Sequence, residues 1–146
     1  MVIRKMEPED YDSVYALWLG CPGMGLNNLD DSREGIARYL ARNPETCFVA
    51  EEGGRILGAI LTGHDGRRGF ISHTAVAAGY QRRGIGTRLV ETALKALKEQ
   101  GIHKVNLVAF VRNEKGNAFW EKMGFTLRPD LVYRNRVLTE MVRIDT

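Results

Sequence analysis

The chain has 146 residues, about the length of one domain, and can bury a single substantial core. Its net charge is +3, with 21 basic and 18 acidic residues interspersed along the whole length, so it carries no basic arm or stripe of the kind that tracks nucleic acid; the small excess suits a polyphosphate ligand without requiring one. Cys21 and Cys47 lie outside any C-x-x-C spacing, the N-terminus lacks an apolar signal core and no apolar run approaches bilayer length, so the expectation is a soluble cytoplasmic protein with no metal site, no membrane anchor and no nucleic-acid partner.

Residues 2–6 read as a short opening strand. Pro8 suits the first turn of a helix on which Tyr11, Val14, Tyr15 and Trp18 recur at helical spacing. Residues 20–29, rich in Gly, Pro and Asn, read as a loop, and Asp31 with Glu34 three positions later resembles a capping box opening a second helix that Asn43-Pro44 stops. Residues 46–51 and 55–61 read as strands joined through Glu52-Gly53-Gly54, and the turn His64-Asp65-Gly66 leads into a strand over 70–76. Ile85, Leu89, Val90, Ala93, Leu94 and Leu97 mark one face of a helix from 85 to about 100, with Gly101 as its stop. A strand over 104–111, a helix over 115–123 ended by Gly124, and a return strand over 132–138 complete the chain, the last interrupted by Arg134-Asn135-Arg136. The order β-α-α-β-β-β-α-β-α-β predicts an α/β (α+β) fold in one domain over residues 1–146, with a mixed, mostly antiparallel twisted sheet, about four helices and one crossover after Val76.

The most informative stretch is Gln81-Arg82-Arg83-Gly84-Ile85-Gly86, between the strand over 70–76 and the amphipathic helix that follows. The first turn of a helix leaves N–H groups without intrahelical partners at the positive end of the peptide dipole, so an anion can sit there. Gly84 and Gly86 let the main chain approach a bulky polyphosphate. A P-loop is excluded because Ile85 and Gly86 stand where its Lys and Ser/Thr belong, and a dinucleotide fingerprint because Leu89 stands where its third glycine belongs.

The run from Thr74-Ala75-Val76 through Gln81-Arg82-Arg83-Gly84-Ile85-Gly86-Thr87 resembles the signature of the GNAT superfamily of acyl-CoA-dependent N-acetyltransferases, a strand ending in Val followed by Q/R-x-x-G-x-G/A and a helix. Asn113-Glu114-Lys115-Gly116-Asn117-Ala118-Phe119-Trp120-Glu121-Lys122-Met123-Gly124-Phe125 is similar to the family's second element, N-x-x-A-x-x-x-Y-x-x-x-G-F, with Gly116 for the usual alanine and Trp120 for the usual tyrosine. The resemblance implies acetyl-CoA as co-substrate and direct transfer to a primary amine. Thr74, Ala75 and Val76 would bond the pantetheine arm, while Gln81, Arg82, Arg83, Gly84, Ile85, Gly86 and Thr87 would hold the pyrophosphate; Asn113 would contact the pantetheine side and Trp120 would lie near the sulfur. The Val76 N–H would face the oxyanion.

Indole N–H donates a hydrogen bond but is no usable acid near neutral pH, so Trp120 leaves protonation of the departing thiolate to water, to Tyr133 or to Ser72. Strand alternation predicts Ser72 on one face with Phe70 and Thr74, and His73 on the other with Ala75, as a core or interface histidine. No base carries over from the family, and a site without one is expected to favour amines of low pKa. Asn27, Asn28, Asp30 and Asp31 belong to the segment that shapes the acceptor pocket in the family, Asp65 sits in a turn near the expected acceptor side, and Asn106 could orient an acceptor from its strand; capping, turn formation and a plain strand position explain these residues equally well. The acceptor is left open between small-molecule amines and a protein N-terminus, since the compact chain also resembles ribosomal-protein N-terminal acetyltransferases. A CoA-binding regulatory module without catalysis is the rival, and homodimers are frequent in the family.

Overall fold

The computed structural model describes residues 1–145. In chain order its elements are β1 (Val2–Lys5), a 3₁₀ turn (Pro8–Asp10), α1 (Tyr11–Leu19), α2 (Arg33–Arg42), β2 (Phe48–Glu52), β3 (Arg55–His64), β4 (Gly69–Val76), α3 (Ile85–Glu99), β5 (Val105–Leu107) and α4 (Glu114–Lys122). The strands form one sheet in the order β1-β2-β3-β4-β5, antiparallel throughout except for the parallel pair β4–β5, which the α3 crossover makes possible. Gly53 and Gly54 at the β2–β3 turn both have positive φ (58° and 77°), as a type I′ hairpin demands.

Strand alternation sends side chains to two cores. Val49, Ala59, Leu61 and Ala75 pack with Val14 and Trp18 of α1 and Ile36 and Leu40 of α2; Phe48, Ala50, Ile60 and Ile71 pack with Ile85, Leu89, Val90 and Ala93 of α3. Gly58 lets α3 seat closely, since a Cβ there would lie 3.0 Å from the Leu89 side chain and 3.1 Å from that of Ile85. Phe119, Trp120 and Met123 of α4 border this second core.

A bulge in β4 decides the shape of the site. Ile60 pairs with Thr74 and Thr62 with Ile71, so Leu61 alone stands opposite both Ser72 and His73. Pairing with β5 stops at the same level, at Ile71 and Leu107. From there to Val76, β4 runs on with β3 on one side and no strand on the other.

Three expectations change. The strand over 104–111 is confined to Val105–Leu107, because β4 turns away at its bulge. The return strand over 132–138 does not form: Val132, Tyr133, Val137 and Leu138 are exposed, and apolar pairs at 132–133 and 137–138 around a polar trio give no single apolar face to bury. The chain beyond α4 instead hooks back on the loop before α2, where the Ile144 N–H donates to Leu26 O (3.0 Å) and Asp145 accepts from the Leu26 and Met24 N–H groups. Finally, the N-cap of α2 is Ser32, whose Oγ accepts from the Gly35 N–H at 3.0 Å, and Asp31 is released for another role.

Candidate active site

The opening between β4 and the segment after β5 is the mouth of a cleft of about 2220 Å³ that runs from the N-terminus of α3 to the loop before α2. That is larger than a site for one small molecule, and suits a long ligand with a second one beside it.

At one end the cleft is lined by main chain. The Ala77 N–H donates to Leu57 O of β3 at 2.8 Å, so strand alternation turns the N–H and C=O groups of Thr74 and Val76 the other way, toward the edge where no strand pairs. The Val76 carbonyl accordingly accepts from the Cys21 thiol at 3.5 Å instead of joining the β3 ladder. Arg82 (64°) and Gly84 (79°) have positive φ while Gln81 and Arg83 do not, the alternation of hand from which an anion-binding nest of N–H groups is built, directly before α3. Arg82 is the one non-glycine residue with positive φ among the described residues, a local strain placed at the cleft wall.

The two glycines differ in what demands them. Gly84 serves backbone conformation, having positive φ and open space where a Cβ would point. Gly86 lies within α3, where a Cβ would meet the Phe119 ring at 3.4 Å, an ordinary contact, so the neighbouring side chains do not demand a glycine there.

Gln81, Ile85 and Thr87 also line the cleft, but the Arg83 side chain does not. Its guanidinium lies over the Tyr80 ring, 5.3 Å from the centroid, with Arg55 at the same distance, and this cation–π contact draws it from the anion side where it was expected. Asn113 lines the cleft while its Oδ1 caps α4 by accepting from the Gly116 N–H at 3.0 Å. That cap explains the glycine, since a Cβ at 116 would come within 2.3 Å of the Asn113 carboxamide. Trp120 reaches the cleft edge-to-face between Phe119 (5.0 Å) and Phe125 (5.2 Å), so its bulk is held by an aromatic cluster.

The other end is built from side chains of distant segments. Asn27 accepts from the Leu29 and Asp30 N–H groups and donates to Asp30, while Asn28 accepts from the Val142 N–H; all three residues line the cleft while shaping the loop. Ser72 lines it beside Tyr39, whose hydroxyl is pushed up to about 12, chiefly by burial. Tyr133 stands at the rim, mostly exposed. Two expected residues are absent from it. Asp65 caps its own turn, accepting from the Arg67 and Arg68 N–H groups, which hold its carboxyl below the usual range. Asn106 pairs with Phe70 and lies outside the lining.

The bulge also changes the predicted facing of β4 at one place, parting Ser72 from Thr74, while His73 keeps the side it was expected to share with Ala75. Ser72 and His73 both turn to the α1–α2 side, and Thr74 to the α3 side with Ile60. His73 thereby meets Asp31 at 2.7 Å and stacks edge-on against Trp18 at 4.9 Å. From the sequence, Asp31 was expected in a helix cap or in the segment that shapes the acceptor pocket and His73 in the core or an interface; a histidine and an aspartate 42 residues apart carry no local signal of contact. Among the described residues, no group of three or more His, Cys, Asp or Glu could hold a metal ion, and no helix is long and apolar enough to cross a membrane.

Comparison with known proteins gives the class to which this fold belongs. Residues 11–125 match the Acetyltransferase (GNAT) family, and the chain belongs to it. It is 30% identical over 140 residues to a protein of Sodalis glossinidius (strain morsitans) named as an acetyltransferase, covering 96% of this chain and 97% of that one. Its fold is similar to that of Ard1 from Thermoplasma volcanium (TM-score 0.72, 23% identity, 87% and 83% of the two chains). It is similar also to that of the PaiA N-acetyltransferase from Thermoplasma acidophilum in complex with coenzyme A (TM-score 0.73, 19% identity, 87% and 90%).

Proposed function

We propose that this protein transfers the acetyl group of acetyl-CoA to a primary amine by direct attack in a ternary complex. The observation that carries the reading is the continuous main-chain track along one wall of the cleft, from the N–H nest at residues 81–84 to the unpaired edge of β4 at Thr74 and Val76. A diphosphate fits the nest and the first turn of α3, with Arg82 adding charge, and the amide-bearing pantetheine arm fits the strand edge as an added strand would. The fit extends to the thioester: its carbonyl falls at the end of β4, where the Val76 N–H donates to the oxyanion as the amine adds. The C–S bond then breaks, and the thiolate leaves beside Trp120 and is protonated by solvent entering the open cleft.

The acceptor enters from the loop end, between Asn27, Asp30, Ser72 and Tyr133. Both a small amine and a protein N-terminus fit so open a mouth. The setting proposed is the cytoplasm, where acetyl-CoA is at hand. A panel of amines with detection of free thiol tests the reading. Thiol release dependent on one amine class supports it; tight CoA binding with no release for any amine would favour the regulatory module instead, in keeping with Trp120 being held by packing.

A further inference from the structure

We propose that His73 is the proton acceptor for the incoming amine and that Asp31 is the positioning residue that holds it in the basic tautomer; the inference rests on the acetyl-transfer reading. Asp31 is nearly fully buried (4% exposed), and its carboxylate is met by two donors, the Asn27 N–H on Oδ2 (2.9 Å) and His73 Nε2 on Oδ1 (2.7 Å). An ionised carboxylate only accepts, so Nε2 carries the hydrogen and Nδ1 of the neutral ring carries the lone pair. Nδ1 has no protein partner among the described residues, and it is not sealed from solvent as Trp18 Nε1 and Thr62 Oγ1 are. It opens on the cleft that His73 lines, three residues before Val76 on the same strand, or about 10 Å along it.

The surroundings isolate this pair. Tyr11 of α1 donates its hydroxyl hydrogen to the Asp31 carbonyl at 2.6 Å, and Arg33 of α2 sits over the Tyr11 ring rather than at the carboxylate. Tyr39 of α2 and Cys21 of the loop after α1 both have their acidities suppressed by burial. Asp31 is therefore the acidic group in contact with the ring, and it lies where positive charge develops when the ring takes a proton.

The step is a proton transfer followed by acyl transfer. An ammonium substrate gives one N–H proton to a cleft water, which passes a proton on to Nδ1 across the space between His73 and Val76, leaving a neutral amine and an imidazolium whose Nε2–H stays on Asp31. The amine lone pair forms the C–N bond to the thioester carbonyl, the C–S bond breaks with its electron pair on sulfur, and the second amine proton reaches the thiolate through solvent. The imidazolium returns its proton to water. This arrangement reverses the expectation from sequence that the site lacks a base and must take amines of low pKa.

The test is kcat/KM from pH 6 to 9 across amines of graded pKa, for the wild type, His73→Gln and Asp31→Asn. Glutamine keeps a donor for Asp31 but offers the cleft no base, so a loss of about 10²- to 10⁴-fold is expected, together with loss of the imidazole limb of the pH profile and a renewed preference for low-pKa amines. Asp31→Asn presents an N–H to Nε2, which moves the ring hydrogen to Nδ1 and silences the base with the imidazole still in place. Both variants should bind CoA as the wild type does, measured by calorimetry, which separates a lost base from a lost fold. An active wild type whose two variants keep its rate and pH profile overturns the proposal alone. A wild type that binds CoA but releases no thiol with any amine removes the acetyl-transfer reading, and this proposal with it.

Discussion

The two ends of the cleft are made of different material. The end at α3 is main chain, its donors fixed by backbone torsions at Arg82 and Gly84 and by the direction of N–H groups along β4. The end at the loop is side chain, contributed by residues 27–31, by β4 and by the C-terminal segment that the Asn28–Val142 contacts tie down. A main-chain site needs only a short run of residues with the right φ and needs few particular side chains. A side-chain site depends on packing among segments far apart in sequence, so its lining can change while the main-chain end stays as it is.

The largest effect should come from putting charge into the main-chain end. Gly84→Glu is expected to weaken CoA binding on the order of a hundredfold, combining like-charge repulsion at the diphosphate with a side chain at φ 79°. Gly84→Ala separates the two causes, since its Cβ meets nothing within 4 Å and only the backbone preference, about 1–2 kcal/mol, opposes it. Calorimetry on both folded variants gives the comparison, and equal affinities for Glu and Ala would remove the diphosphate from this turn.

That division also explains what could be read without coordinates. The α3 face, the β2–β3 hairpin glycines and the turn before α3 are local, and each showed in residue spacing. The bulge at Ser72–His73 did not, because it depends on how β3 and β4 register over their whole length and leaves no Gly or Pro to mark it. One extra residue parted Ser72 from Thr74 and brought it to the side of His73, at the level where pairing with β5 stops, while the Asp31–His73 contact was hidden by the 42 residues between the two. The strand over 132–138 failed for a related reason: half a strand's worth of apolar residues exists there, but no paired edge and no apolar face receive them.

A middle-sized effect is expected at Trp120, which lines the cleft between Phe119 and Phe125. Supplying an acid near the sulfur with Trp120→Tyr should raise the single-turnover rate of thiol release by about tenfold where protonation of the thiolate limits the rate. Trp120→Phe keeps an aromatic ring against Phe119 and Phe125 but removes the N–H donor. Full activity in the Phe variant would assign the residue to packing alone and leave thiolate protonation wholly to solvent.

Smaller still is the change expected from Ser32→Ala, which removes the α2 cap and should cost about 1 kcal/mol in chemical denaturation. Because the same turn carries Asp31, this variant asks whether the side-chain end tolerates a looser foundation. An unchanged pH profile beside the lowered stability would show that Asp31 is held by His73 and the Asn27 N–H rather than by the helix start.

The smallest effect provides the control for every pH argument about His73. Arg4 of β1 bonds Asp10 of the 3₁₀ turn at 2.8 Å and Glu51 of β2 at 3.1 Å, and the guanidinium holds the Asp10 carboxyl below its ordinary value near 3.8. A depressed carboxyl contributes stability that is fully present above the unfolded-state value and is lost as pH falls through the folded-state value. Asp10→Asn should therefore lower stability at pH 7 by under about 1 kcal/mol, as for a partly exposed pair, and the difference from wild type should shrink below pH 4. This network is intact across pH 6 to 9, so a fall in kcat/KM between pH 8 and 6 cannot be unfolding driven by Asp10. Denaturation midpoints that already drop between pH 7 and 6 would break that separation, and the rate profile would then need correction for the folded fraction before any of it were assigned to His73.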